Sequence, residues 1–161
     1  MTAKLTFDDV RGLYQKHGAA LLGYATSLLG DRASAEDVLH QVFLKLLGMR
    51  SLPQDARPYL FKAVRNRALN TRRNVGRMTS LEDQEWLVKP EGMVEAGLEV
   101  ERALQRLPAE QREVVVMRIW GDMTFEEIAG ILGLSINTAA SRYRYALEKL
   151  RAHLKYFEAS Q

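Results

Sequence analysis

The sequence predicts an all-α chain of two small helical domains joined by a linker, the C-terminal domain being a helix-turn-helix. Three observations predict it. Apolar residues recur at helical spacing through nearly every long segment. Ser/Thr-x-x-acid caps open several segments and glycines close them. Between residues 77 and 96 the periodicity fades, and Pro90 and Gly92 appear among Glu82, Asp83, Glu85, Glu91 and Glu95. Alternating strand patterns with tight hairpin turns are absent. The expected division is 1–76, a linker at 77–96, and 97–161.

The first helix is expected from Thr6, capped with Asp9, to Leu29, with Gly30 as its stop. The second is expected to open at Ser34, with Asp37 completing its cap, and to end at Gly48. Its core stripe would be Val38, Val42, Phe43, Leu46 and Leu47. Residues 49–55 contain Pro53 and form a loop. Asp55 can cap a third helix, with Pro58 in its first turn, reaching about Asn74. The linker has room for a short helical turn at 81–88. Residues 97–106 form the next helix, broken by Leu107-Pro108, and 109–120 another, stopped at Gly121. Thr124 and Glu127 open a short helix to Leu132, Gly133 turns the chain, and Ser135 caps a final helix to about Tyr156.

Composition narrows the function. The chain has 161 residues, 47% hydrophobic and 27% charged, as in a folded globular protein. Without cysteine there is no disulfide or thiolate metal site. The charged N-terminus has no long apolar core and every apolar run is short, so neither a signal peptide nor a membrane span is expected, and a cytoplasmic location is. Residues 1–80 hold 13 Lys/Arg against 6 Asp/Glu, and residues 81–161 hold 10 against 14, so the two halves differ in duty. His17, His40 and His153 are scattered, without ligand or base spacing, and are expected at the surface or its boundary. No phosphate loop, calcium loop or catalytic set is present, so neither an enzyme nor a cofactor is expected.

Two segments carry the chemistry. In the helix-turn-helix around Gly133, Ile128, Ala129, Leu132 and Leu134 would face the core, as would Ala139, Tyr143, Ala146, Leu147, Leu150 and Leu154 of the final helix. That leaves Asn137, Thr138, Ala140, Ser141, Arg142, Arg144, Tyr145 and Glu148 outward, a short polar and basic set suited to a helix entering the major groove. Residues 57–77 hold seven Arg/Lys and no acid. An acid-free helix repels itself unless a polyanion neutralises it. Leu60, Phe61, Val64, Ala68 and Leu69 would be buried, while Tyr59, Lys62, Arg65, Asn66, Arg73 and Arg77 lie open, an aromatic and basic surface suited to unstacked single-stranded DNA.

Taken together, these motifs resemble the extracytoplasmic-function (ECF) sigma factors, two-domain members of the main bacterial sigma superfamily. DRASAEDVLHQVFLKL (31–46) resembles that family's helix for the β′ clamp helices of RNA polymerase. PYLFKAVRNRALNTRR (58–73) resembles its −10 helix, and the stretch from Leu107-Pro108 through Arg151 its −35-binding domain. The resemblance implies that Asp37, His40, Gln41 and Leu44 meet the polymerase core. It implies that the loop 48–56 receives a flipped −10 base, bordered by Tyr59, Lys62, Arg65 and Asn66, with Arg73 further along. It implies that Thr138, Ala140, Ser141, Arg142, Arg144 and Tyr145 form the −35 surface. The linker would run toward the RNA exit channel, the C-terminal domain would touch the β flap, and an anti-sigma factor would mask the binding faces. Three positions depart from the family pattern: His40-Gln41 where Gln-Glu is usual, Asn70 where Asp is usual, and Ala140 where Lys or Arg is common. A stand-alone helix-turn-helix regulator would share the C-terminal motif but has no use for the acid-free helix, and a protein–protein adaptor that keeps the fold without DNA binding is favoured by the mild overall charge and by Ala140.

Overall fold

A computed structural model describes residues 4–75 and 97–159. The expected linker at 77–96, its short turn at 81–88 and Arg77 lie outside the described residues. The chain divides into two compact units, Met1–Val88 and Lys89–Gln161. All regular structure among the described residues is helical.

The first unit packs three helices mutually against one another: α1 (Phe7–Leu29), α2 (Arg32–Leu46) and α3 (Ala56–Val75). Thr6 and Asp9 make the capping box at the start of α1: Thr6 Oγ1 accepts from the Asp9 amide at 3.1 Å, and Asp9 Oδ2 accepts from the Thr6 amide at 2.9 Å. Gly30, at φ 74°, ends the helix.

The start of α2 differs from the expected Ser34–Asp37 cap. Asp31 is the N-cap, accepting from the amides of Ala33 (3.3 Å) and Ser34 (3.0 Å) and from the Ser34 hydroxyl (2.6 Å). A carboxylate at the positive end of the helix outcompetes a hydroxyl one turn later, and it recruits that hydroxyl as a donor. These bonds, the Ser34 hydroxyl first, hold the Asp31 carboxyl below its ordinary pKa. The helix ends at Leu46 rather than Gly48, and Leu47 turns out of it half-buried.

Leu21, Tyr24, Val38, Leu46, Leu60, Phe61 and Val64 form the heart of this unit, each under 2% exposed. Tyr24 and Phe61 meet ring to ring at 5.2 Å, and Tyr14 stands edge-on to Phe43, also at 5.2 Å. On α3, Leu69 is half-buried rather than buried. His17 is buried, not superficial, because α1 turns that face into the three-helix core. Burial, with Lys16 and Arg57 nearby, lowers its pKa and favours the neutral ring.

The second unit is built around a long helix. α4 (Gly97–Arg106), α5 (Ala109–Ile119) and α6 (Phe125–Leu132) each pack on α7 (Ile136–Ala159), which runs past the expected Tyr156. Leu104, Val114, Val115, Met117, Met123, Ile128, Ala139 and Ala146 are fully enclosed. Arg112 reaches back from α5 and donates to the carbonyls of Leu104, Gln105 and Leu107, each at 3.0 Å. They belong to the last turn of α4 and the residue after it, and the Leu104 carbonyl also accepts from the Leu107 amide at 3.1 Å. α5 stops at Ile119, one residue before the expected end.

Thr124 and Glu127 form a second reciprocal capping box at the start of α6. Gly133 ends that helix at φ 68°, with open space where a Cβ would sit. Backbone strain is therefore the whole cost of a side chain there. Gly133→Ala is expected to destabilise the unit by about 1 kcal/mol, measured as a shift in the urea unfolding midpoint.

Candidate nucleic-acid interface

The turn at Gly133 sets α7 across α6, and Ser135 caps it by accepting from the Thr138 amide at 3.1 Å. Ala139, Ala146 and Leu150 are buried, while Tyr143, Leu147 and Leu154 are half-buried, as are Leu132 and Leu134 before them. Phe125 of α6 stacks against Tyr143 at 5.4 Å and fixes the crossing of the two helices. Opposite this core, Asn137, Thr138, Arg144, Tyr145 and Glu148 are exposed, and Ala140, Ser141 and Arg142 are half-buried.

These outward side chains are not equally available. The Thr138 and Ser135 hydroxyls are paired at 2.8 Å. Arg142 lies 3.8 Å from the Glu110 carboxylate of α5. Arg144 leans over the Tyr145 ring, 5.5 Å from its centroid, and reaches Ser141 Oγ at 3.5 Å. The cation at 144 and the aromatic at 145 thus form one surface unit at mid-helix.

On the first unit, α2 and α3 enclose a groove of about 270 Å³, lined by Val42, Lys45, Leu46, Tyr59, Ala63, Asn66, Arg67 and Asn70. Its lining combines aliphatic side chains, the Tyr59 ring, two carboxamides and two cations. Tyr59 is half-buried, its hydroxyl donating to Met49 Sδ at 3.4 Å and so tying α3 to the loop before it. The Leu5 amide also donates to the Met49 carbonyl at 2.9 Å, holding that loop from the α1 side. Asp55 caps α3 through the Arg57 amide and side chain.

The structure brings Tyr59 and Asn66 together in this groove. Lys62 is exposed one turn before Asn66, and Arg73 is exposed two turns after it. Arg65 sits apart, about a quarter turn further round, half-buried and already engaged within the unit. Lys45 and Arg67 join the groove without standing out in the sequence, and Asn70, notable there only as a departure from the family pattern, joins it too. The only signal was their spacing, with 59, 63, 66, 67 and 70 on one helical face, and it acquires meaning only once α2 lies alongside.

Asp37, His40, Gln41 and Leu44 form a single exposed stripe on α2. Leu44 is 63% exposed although its helical neighbours Phe43 and Leu46 are buried. Among the described residues there is no cluster of three or more His, Cys, Asp or Glu that could hold a metal. Likewise, no helix there is long and apolar enough to cross a membrane.

Residues 13–78 match the family described as Sigma-70 region 2, and residues 97–150 match Sigma-70, region 4. The chain is 32% identical over 159 residues to the ECF RNA polymerase sigma factor SigL of Mycobacterium tuberculosis, covering 91% of this chain and 89% of that one. It is 34% identical over 145 residues to the RNA polymerase sigma-E factor of Streptomyces coelicolor, covering 84% and 80%. Its fold is similar to that of the sigma factor RpoE in complex with the anti-sigma factor NepR from Bartonella quintana, with a TM-score of 0.67, 22% identity and coverage of 92% and 98%. It is also similar to CnrH in complex with the cytosolic domain of CnrY, with a TM-score of 0.63, 24% identity and coverage of 94% and 90%. With a first unit that matches Sigma-70 region 2, a helix-turn-helix second unit that matches region 4 and this identity along nearly its whole length, the chain belongs to the ECF RNA polymerase sigma factors and acts in transcription initiation.

Proposed function

We propose that the first unit binds core RNA polymerase and the −10 element while the second binds the −35 element, the segment 77–96 joining two domains whose outer bounds are 1–76 and 97–161. The observation that carries this reading is Leu44. A large aliphatic side chain, 63% exposed at the end of the polar stripe of Asp37, His40 and Gln41 on the solvent face of α2, has the form of a docking anchor. Its partner is the clamp-helix region of the polymerase β′ subunit. With the factor mounted there, each weak DNA contact becomes intramolecular and gains from effective concentration.

At −10, the cations Lys62 and Arg73 track the strand and the Tyr59–Asn66 groove, beside the loop 48–56, takes an unstacked base. Binding the flipped base supplies the free energy that offsets its unstacking, a few kcal/mol. Arg65 contributes less directly, through its place behind that surface. At −35, Arg144, Tyr145, Ser141, Arg142, Thr138 and the gap at Ala140 face the major groove, while the same unit touches the β flap. An anti-sigma factor covers the Leu44 face in the resting cell, a reading supported by the similarity to RpoE, which was captured with NepR.

Arg144→Ala and the double change Lys62→Ala/Arg73→Ala are each expected to lower run-off transcription about tenfold while leaving affinity for core polymerase unchanged. Run-off assays beside a polymerase-capture assay check both. Tight binding of the free factor to duplex promoter without polymerase would instead indicate a stand-alone regulator.

A further inference from the structure

The start of α7 has an unusual division of labour. Residues 136, 137, 140, 141 and 144 lie at helical spacing along one stripe. Within it, Ile136 is 51% exposed at the very first turn, Ala140 offers only a methyl group, and Ser141 faces Arg144. The neighbouring polar groups are committed: the Ser135 and Thr138 hydroxyls to each other at 2.8 Å, Arg142 toward Glu110 at 3.8 Å. Asn137 is exposed in the first turn of α7, and its carboxamide makes no hydrogen bond within the described residues.

Small residues at 140 and 141 remove the bulk that would hold the helix off the base pairs. A short side chain at 137 can then reach base edges that a long cation at 140 would otherwise occupy. In the major groove an Asn carboxamide matches adenine: Oδ1 accepts from N6–H and Nδ2 donates to N7. An exposed isoleucine beside it matches the thymine C5-methyl, the only apolar group displayed there.

We infer that Asn137 is a specificity-determining residue that reads an adenine of the −35 element, with Ile136 packing on a thymine methyl of a neighbouring pair. This inference rests on the −35 reading proposed above. It explains how the reading head works without a cation at 140: specificity shifts one turn toward the helix start, and Arg144 anchors the opposite end.

The test uses the full-length factor reconstituted with core polymerase on a template library saturated across the −35 region. Wild-type, Asn137→Ala, Asn137→Asp and Arg144→Ala factors are compared, with melting temperatures recorded alongside. Wild type is expected to prefer adenine at one position. Asn137→Ala is expected to flatten that preference about tenfold and to leave the other positions unchanged. Asn137→Asp, which cannot donate to N7, is expected to lose it too. If Asn137→Ala keeps every preference, or lowers all templates equally, the assignment to Asn137 is overturned. The −35 reading itself survives that result provided Arg144→Ala still reduces output. If neither Arg144→Ala nor any −35 change alters transcription, both fall.

Discussion

Replacing Arg112 by alanine is expected to unfold most of the second unit. Its guanidinium closes three carbonyls, those of Leu104, Gln105 and Leu107, all at 3.0 Å, where α4 ends and Leu107-Pro108 turns into α5. Burial lowers its pKa from the usual value, the signature of a cation partly withdrawn from water to make these bonds. Truncation takes this donor from the Gln105 and Leu107 carbonyls beside the fully enclosed Leu104, whose own carbonyl keeps the Leu107 amide at 3.1 Å. At about 1–3 kcal/mol for each of these two part-buried groups, with some relief by water, the loss is about 2–4 kcal/mol. A core in a unit of this size supplies only about that much net stability. Hydrogen exchange should show amides of residues 104–150 losing protection while those of α1 and α2 keep theirs. Arg112→Lys, one point charge in place of a fork, should recover only part of the protection. Full protection in Arg112→Ala would show that the α4–α5 corner is held by the apolar core alone.

Leu44→Asp is expected to have the largest effect on function without touching the fold. The side chain is 63% exposed and contributes little to the core, so the melting temperature should stay at the wild-type value. A carboxylate placed at a desolvated anchor loses the apolar contact and adds an unpaired charge. A loss of at least about 2 kcal/mol, the scale of a binding hot spot, weakens the Kd for core polymerase about thirtyfold. Initiation at every promoter should fall in parallel, in contrast to Arg144→Ala, which spares polymerase binding. His40→Ala and Gln41→Ala, on the same stripe, should cost less because polar rim contacts are worth less. Wild-type polymerase affinity in Leu44→Asp would place the docking face elsewhere.

Much of the architecture was legible in the sequence because it is local. The Thr6–Asp9 and Thr124–Glu127 capping boxes, the stop at Gly30 and the turn at Gly133 each depend on a handful of adjacent residues. The start of α2 departs from its expected position because Asp31 and Ser34 are both good caps, and their competition is decided by which acceptor gathers more donors. The buried stripe of α2, Val38, Val42, Phe43 and Leu46, was legible from periodicity, whereas its exposed stripe of Asp37, His40, Gln41 and Leu44 came from the family resemblance.

By itself, then, the sequence determined the helices, most of their caps, their core-facing stripes and the segment where regular periodicity lapses, since each is set by neighbours within a turn or two. Tertiary structure alone decided that His17 is buried, that Lys45, Arg67 and Asn70 share a groove with Tyr59, that Arg65 stands off from it, and that Glu110 lies beside Arg142. Those facts depend on the crossing of helices far apart in the chain, and helical period gives the face of each residue but not what that face meets.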